Sequence, residues 1–121
     1  MRHFALVPQQ LYKLLLYIDS DSALVSNIAS ILVGGDAVNK KAKISSKNHE
    51  LPITYSYGST ETCGQITATL SDHEPFCSGK PLTGVSLRIK NNRLLIRTDT
   101  LARGYVLSDR IDPLQTDNGY Y

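Results

Sequence analysis

The sequence predicts an α/β fold, a short parallel βαβαβ sheet followed by a small antiparallel β part. Three observations carry this reading. The runs "HFALV", "IASILV" and "LPITYSY" are almost free of charge and do not alternate, as strands covered on both faces require. Segments of helical spacing or polar, charged character separate them. Beyond Gln65 the pattern changes to alternation in "QITATL", "GVSLRI" and "RLLIRT", which marks half-buried antiparallel strands.

Taken in order, "HFALV" opens the chain as a strand. Pro8 then suits the first turn of a helix, where a missing N–H costs nothing. "QQLYKLLLYI" continues that helix with Leu11, Leu14, Leu15 and Ile18 on one face. "DSDSALVSN" is polar and breaks the pattern. "IASILV" is the second strand and runs into Gly34-Gly35, after which Asp36 is expected to cap a helix reaching about Ile44. "SSKNHE" reads as loop, and Pro52 places the third strand after itself. "SDHEPFCSGKPLTG" is a Pro/Gly-rich connection, and "KNNR" a hairpin turn on Asn91-Asn92. The expected division is residues 1–70 for the parallel part and 71–121 for the antiparallel part.

The totals limit the function classes. A chain of 121 residues holds one modest core, and 41% hydrophobic with 20% charged residues is a globular composition. Thirteen basic against eleven acidic side chains give +2, too little to argue for nucleic acid. The lysines of "NKKAKISSKNHE" read as a solvated face. The apolar stretch "LYKLLLYI" is too short and too interrupted for a membrane span. Cys63 and Cys77 follow no signal peptide and lack redox or zinc spacing, so a reduced, cytoplasmic chain is expected. His3, His49, Cys63 and His73 form no metal-ligand pattern. Ser59 lacks the glycine that a nucleophile elbow needs two residues on. Asp72 and Glu74 flank a loop histidine expected to face solvent.

The chemistry-bearing residues gather where a parallel sheet binds ligands, outside the carboxyl ends of its strands. Gly34, Gly35 and Asp36 follow the second strand; Tyr57, Gly58, Ser59, Thr60 and Glu61 end the third. Glycines let backbone approach a flat ligand, Tyr57 offers a ring for stacking, Thr60 a hydroxyl for phosphate oxygen, and Glu61 a hard oxygen ligand for Mg²⁺. Each alone is an ordinary turn, boundary aromatic or weak helix cap. Their combination at successive strand ends describes a nucleotide site. No "GxxxxGK[ST]" occurs, so phosphates would need contacts from elsewhere.

"YSYGSTE" resembles the Tyr-Gly-x-Thr-Glu motif of the adenylate-forming acyl-CoA synthetase superfamily. "HFALVPQQLYKLL" is similar to the strand and helix that precede the adenine loop there, and "ILVGGDAV" to that loop itself, with Asp36 where many members carry alanine or glutamate. "SGKPLTGVSLRI" and "LARGYV" resemble the Gly-x-Pro-x-x-Gly stretch and the Gly-Tyr segment that closes it. "LVPQQLYKLL" and the short "NNRLLIRT" hairpin are most similar to the 2-succinylbenzoate–CoA ligase branch of menaquinone biosynthesis.

The resemblance implies ATP or AMP, Mg²⁺ and coenzyme A as ligands, with a small carboxylic acid as substrate. It implies that Tyr57 stacks on adenine and that Gly34, Gly35 and Asp36 line the adenine pocket through their backbone. Thr60 would contact the α-phosphate, Glu61 would hold Mg²⁺, and His3 and Gly58 would face the acyl group. The family's phosphate loop, ribose aspartate and adenylation lysine have no counterpart in these residues. The expectation is therefore a central fragment of a larger adenylate-forming domain, inactive alone, with exposed apolar surface and a tendency to self-associate. A non-catalytic nucleotide-binding or interaction module is the alternative.

Overall fold

The computed structural model describes residues 1–20, 22–69 and 77–121; the expectations for Asp72, His73 and Glu74 lie outside them. Its first elements are β1 (Arg2–Leu6), α1 (Pro8–Ser20), a 3-10 segment (Ser22–Asn27), β2 (Ile28–Val33), α2 (Lys40–Asn48) and β3 (Ile53–Ser59). Then come β4 (Gly64–Ala68), β5 (Lys80–Pro81), β6 (Ser86–Lys90), β7 (Arg93–Arg97), β8 (Gly104–Leu107) and β9 (Arg110–Pro113). β1 to β5 form one mixed sheet in that order, and β6–β7 and β8–β9 are separate two-stranded sheets.

The expected βαβαβ core is present. β2 pairs in parallel with β1, placing Phe4 opposite Ile31 and Leu6 opposite Val33, and with β3, placing Ile31 opposite Ile53 and Val33 opposite Tyr55. Pro8 opens α1, and the Gln10 side chain accepts from the Val7 N–H at 3.0 Å, half of a capping box. Leu11, Leu15 and Ile18 meet Ile31, Val33 and Ile53 in one core cluster.

The second helix differs from expectation. It begins at Lys40, not after Asp36, because Asn39 is the cap: its side-chain oxygen accepts from the Ala42 N–H at 2.8 Å. Asp36 instead accepts from the adjacent Ala37 N–H at 2.7 Å, within the loop. The helix also continues through "ISSKN", read from sequence as largely loop. Buried Ser46 donates back to the Ala42 carbonyl at 2.8 Å, which satisfies its hydroxyl inside the helix.

The segment "QITATL" also lies elsewhere than expected: β4 joins the first sheet beside β3. Thr69 secures this, its N–H donating to the Tyr55 carbonyl at 2.8 Å while its hydroxyl oxygen accepts from the Tyr55 N–H at 2.7 Å.

The chain clusters into two compact units, Met1–Tyr57 with Thr67–Lys80, and Gly58–Ile66 with Pro81–Tyr121. In the second, Asn91 and Asn92 turn the β6–β7 hairpin at φ of 52° and 61°, the left-handed pair that such turns need. Tyr121 pairs with Ile96 through two backbone bonds of 2.8 and 2.9 Å, so the terminal aromatics extend that hairpin. Tyr120 is buried, with the Arg88 and Arg97 guanidinium groups 4.6 and 5.1 Å from its ring centre. Ile89 and Val106 are each 80% exposed, apolar surface of the kind expected.

Two stability predictions follow from this packing. Ile31 is fully buried, so Ile31→Ala should lower unfolding free energy by about 2–5 kcal/mol, read from the urea midpoint. A loss under about 1 kcal/mol would mean that the site collapses onto the missing atoms.

The Tyr55 hydroxyl is buried, with the Ser46 hydroxyl as its polar neighbour. Burial raises its pKa above the ordinary 10, an effect that the neighbouring Ser46 hydroxyl only partly offsets. Folding therefore favours the protonated phenol. The unfolded chain loses that proton first, so this stability is present below pH 10 and is lost above it. Thermal melts from pH 8 to 11 should fall steeply at the alkaline end, and less so for Tyr55→Phe. Parallel curves for the two proteins would refute this assignment.

Candidate active site

One candidate region is the loop after β2. The Gly34 N–H donates to the Leu6 carbonyl at 3.2 Å, which carries the β1–β2 ladder into the loop. A Cβ at Gly34 would stand 2.4 Å from the Ser56 hydroxyl oxygen, so a side chain here would displace that hydroxyl, while the β3 backbone remains at ordinary contact distance. Gly35 has φ of +87°, a left-handed conformation that turns the chain away from the sheet. An open cleft of about 320 Å³ lies at these strand ends, lined by Ala5, Leu6, Val7, Leu32, Gly34 and Gly35, with Gln10 and Ser56 as its polar side chains.

The structure brings Gly34 and Gly35 to this cleft. Asp36 and Tyr57 do not line it. The Asp36 carboxylate accepts from the adjacent Ala37 N–H within its own loop. Tyr57 is 39% exposed. His3 sits on β1 near its amino end, its Nδ1 2.8 Å from the Ser30 hydroxyl oxygen. Leu6, at the cleft, is three residues farther along the strand, roughly 10 Å away.

A separate candidate region is the turn from Tyr57 to Gly64. Buried Thr62 organises it, with its hydroxyl oxygen 2.9 Å from the Ser59 nitrogen, 3.0 Å from the Ser59 carbonyl and 2.8 Å from the Gly64 carbonyl. The Thr62 and Cys63 N–H groups donate to the carbonyls of Ser59 and Thr60 at 3.2 and 3.1 Å. Gly58 is required here, because a Cβ would lie 1.9 Å from the Gly64 carbonyl oxygen. Thr60 is exposed and Glu61 half-buried at the tip.

The Glu61 main-chain carbonyl accepts from the Ala102 N–H at 2.7 Å, and its carboxylate accepts from the Tyr105 hydroxyl. That phenol bond, then Glu61's own N–H and the Ser59 hydroxyl, hold the carboxyl below its ordinary range, so it is ionised near neutrality. Tyr105 is pushed in the opposite direction, first by its bond to Glu61 and then by Tyr121.

This donor chemistry fits Mg²⁺. Among the described residues no three His, Cys, Asp or Glu side chains cluster as a metal cage. An ion that keeps several waters and binds through one or two carboxylates together with phosphates needs none. Sequence reasoning missed Thr62 and Tyr105. Thr62 carries no signal beyond being a small hydroxyl residue in a turn. Tyr105 lies in the Gly-Tyr segment singled out above, but its sequence separation from Glu61 hid the contact.

Among known proteins, the family profile described as "AMP-binding enzyme" matches residues 1–106. The chain is 29% identical to 2-succinylbenzoate–CoA ligase of Escherichia coli K12, over 98% of its own length and 25% of the relative's. It is likewise 29% identical to the enzyme of that name from Staphylococcus epidermidis, covering 26% of it. The chain thus spans about a quarter of the curated relatives it matches. Its fold superposes on E. coli MenE bound to an analogue of OSB-AMS, with a TM-score of 0.79, 28% identity, and coverage of 98% of this chain and 26% of that one. For Bacillus subtilis MenE in complex with the acyl-adenylate intermediate OSB-AMP, a likeness of fold alone, the values are 0.80, 21%, 99% and 27%. With the glycine loop and the Tyr57–Glu61 turn at successive strand ends, the match over residues 1–106 establishes that the chain belongs to the AMP-binding enzyme family.

Proposed function

We propose that this chain is the nucleotide-contacting segment of an ATP-dependent ligase that adenylates a carboxylic acid and passes the acyl group to coenzyme A. The observation that supports this most is the turn from Tyr57 to Gly64. An exposed ring, an exposed hydroxyl and an ionised carboxylate follow one another on a backbone fixed by Thr62. Likeness to the E. coli ligase favours 2-succinylbenzoate as the acid.

In this reading Tyr57 stacks on adenine, while the Gly34, Gly35 and Asp36 backbone borders the base. Thr60 donates to the α-phosphate. Glu61 holds Mg²⁺, which when bound offsets charge developing on the phosphate oxygens. Gly58 keeps the backbone close beside the acyl group, and His3 contributes to the acyl side from β1. Residues 1–70 carry the nucleotide loops and 71–121 the antiparallel part.

The second reading is a non-catalytic nucleotide-binding or interaction module, favoured by apolar exposure at Ile89, Val106 and Ile111. Pyrophosphate release separates the two. A longer protein containing this sequence, given ATP, Mg²⁺, coenzyme A and 2-succinylbenzoate, should release pyrophosphate and form the thioester. Glu61→Gln should depress adenylation there by at least about tenfold. A folded longer protein that releases no pyrophosphate with any of a panel of acids would favour the module.

The 121-residue chain alone should show no ligase activity and bind Mg-ATP weakly. Two or three charge-assisted contacts supplied by other segments, at about 1.5–3 kcal/mol each, amount to a loss of roughly 10²-fold or more. Calorimetry giving a micromolar dissociation constant for this chain would contradict that expectation.

A further inference from the structure

Glu61 is fixed twice by one segment. The Ala102 N–H holds its main-chain carbonyl at 2.7 Å, and three residues later the Tyr105 hydroxyl reaches its carboxylate. Tyr105 is itself set in place by the β8–β9 ladder, where it lies opposite Asp112. Gly104, just before it, is flush against that partner strand: a Cβ there would come 2.1 Å from the Asp112 carbonyl oxygen. The Leu114 N–H continues the pairing to the Arg103 carbonyl at 3.1 Å.

A glutamate on an exposed turn ordinarily samples several rotamers, and ordering it on binding an ion costs affinity. Here a phenol on a strand paired with its neighbour holds one rotamer of the carboxylate. A carboxylate has about four lone-pair sites, so the donors from Tyr105, Ser59 and the Glu61 N–H leave capacity for an ion. Carboxylates that ligate metals are characteristically hydrogen-bonded from behind in this way, which fixes their aim. We propose that Tyr105 is a positioning residue for Glu61, its hydroxyl holding the carboxylate in the orientation that receives a divalent cation. The inference rests on the reading of Glu61 as the Mg²⁺ ligand. It assigns to β8 a part in metal binding that the motif at residues 57–61 does not contain.

The test uses the full chain labelled with ¹⁵N and titrated with MnCl₂, whose paramagnetism broadens amide signals near the bound ion without any turnover. Wild type should lose the Glu61–Cys63 signals first, and Glu61→Gln should not. Tyr105→Phe keeps the ring and removes the hydroxyl; it should require about 10–100-fold more Mn²⁺ for the same broadening. Glu61→Asp withdraws the carboxylate from the phenol. Combined with Tyr105→Phe it should lose little beyond either change alone, whereas independent roles would add.

If Tyr105→Phe broadens at the wild-type concentration while Glu61→Gln is blind to the ion, Glu61 is a ligand and the positioning role is overturned. If wild type and Glu61→Gln respond alike, the reading of Glu61 fails and this inference falls with it. A melting temperature shared by Tyr105→Phe and wild type, beside the shifted titration, would exclude a purely structural tether.

Discussion

Parallel pairing of β2 with both neighbours is the constraint on which the candidate site depends. Parallel strands must leave a sheet at the same end, so the chain emerging after β1 and after β2 has to negotiate one edge. Ile31, fully buried at the centre of β2, faces Phe4 on one side and Ile53 on the other and fixes both registers. A slip of one residue would exchange Ile31 and Val33 for Leu32, which is exposed, and turn the core outward. Val33 is the last residue of that strand, so the same register sets where Gly34 and Gly35 begin. The glycines bend the chain, but the buried β-branched residues decide where the bend falls.

A comparable division of labour governs the turn after β3. The residues suited to ligand chemistry, Tyr57, Thr60 and Glu61, are exposed or half-buried, while the residue that builds the turn, Thr62, is almost wholly buried. Its single hydroxyl serves the backbone on both sides of the turn. Gly58 permits the close return of Gly64, and Cys63 takes φ of 52° to complete it.

What was legible in the sequence follows from range. The apolar runs of β1, β2 and β3, the helix opened by Pro8 and the Asn91-Asn92 turn are each marked by residues adjacent in the chain, and each lies close to where the pattern put it. The start of α2 went astray because Asp36 and Asn39 both have capping side chains. The choice between them depends on how far the chain must travel after Gly35, which is a tertiary quantity. The placement of β4 beside β3 depends on Thr69 meeting Tyr55, fourteen residues away, and the alternation of "QITATL" says nothing about its partner. The loop residues of the candidate site could be named from strand order and motif. The Tyr105 contact could not, since forty-four residues separate it from Glu61.

The hairpins raise a last physical point. Two-stranded sheets are marginal by themselves, and β6–β7 and β8–β9 present Ile89, Val106 and Ile111 to solvent instead of burying them. Their support comes from specific tethers: Tyr120 beside Arg88 and Arg97, Tyr121 on Ile96, and Ala102 and Tyr105 on Glu61. The last pair ties the β8 segment to the turn that bears the carboxylate. Stability of that hairpin and orientation of Glu61 are therefore coupled through the same hydrogen bonds. Anything that orders β8 also orders the carboxylate, and a ligand that draws on the carboxylate acts in turn on β8.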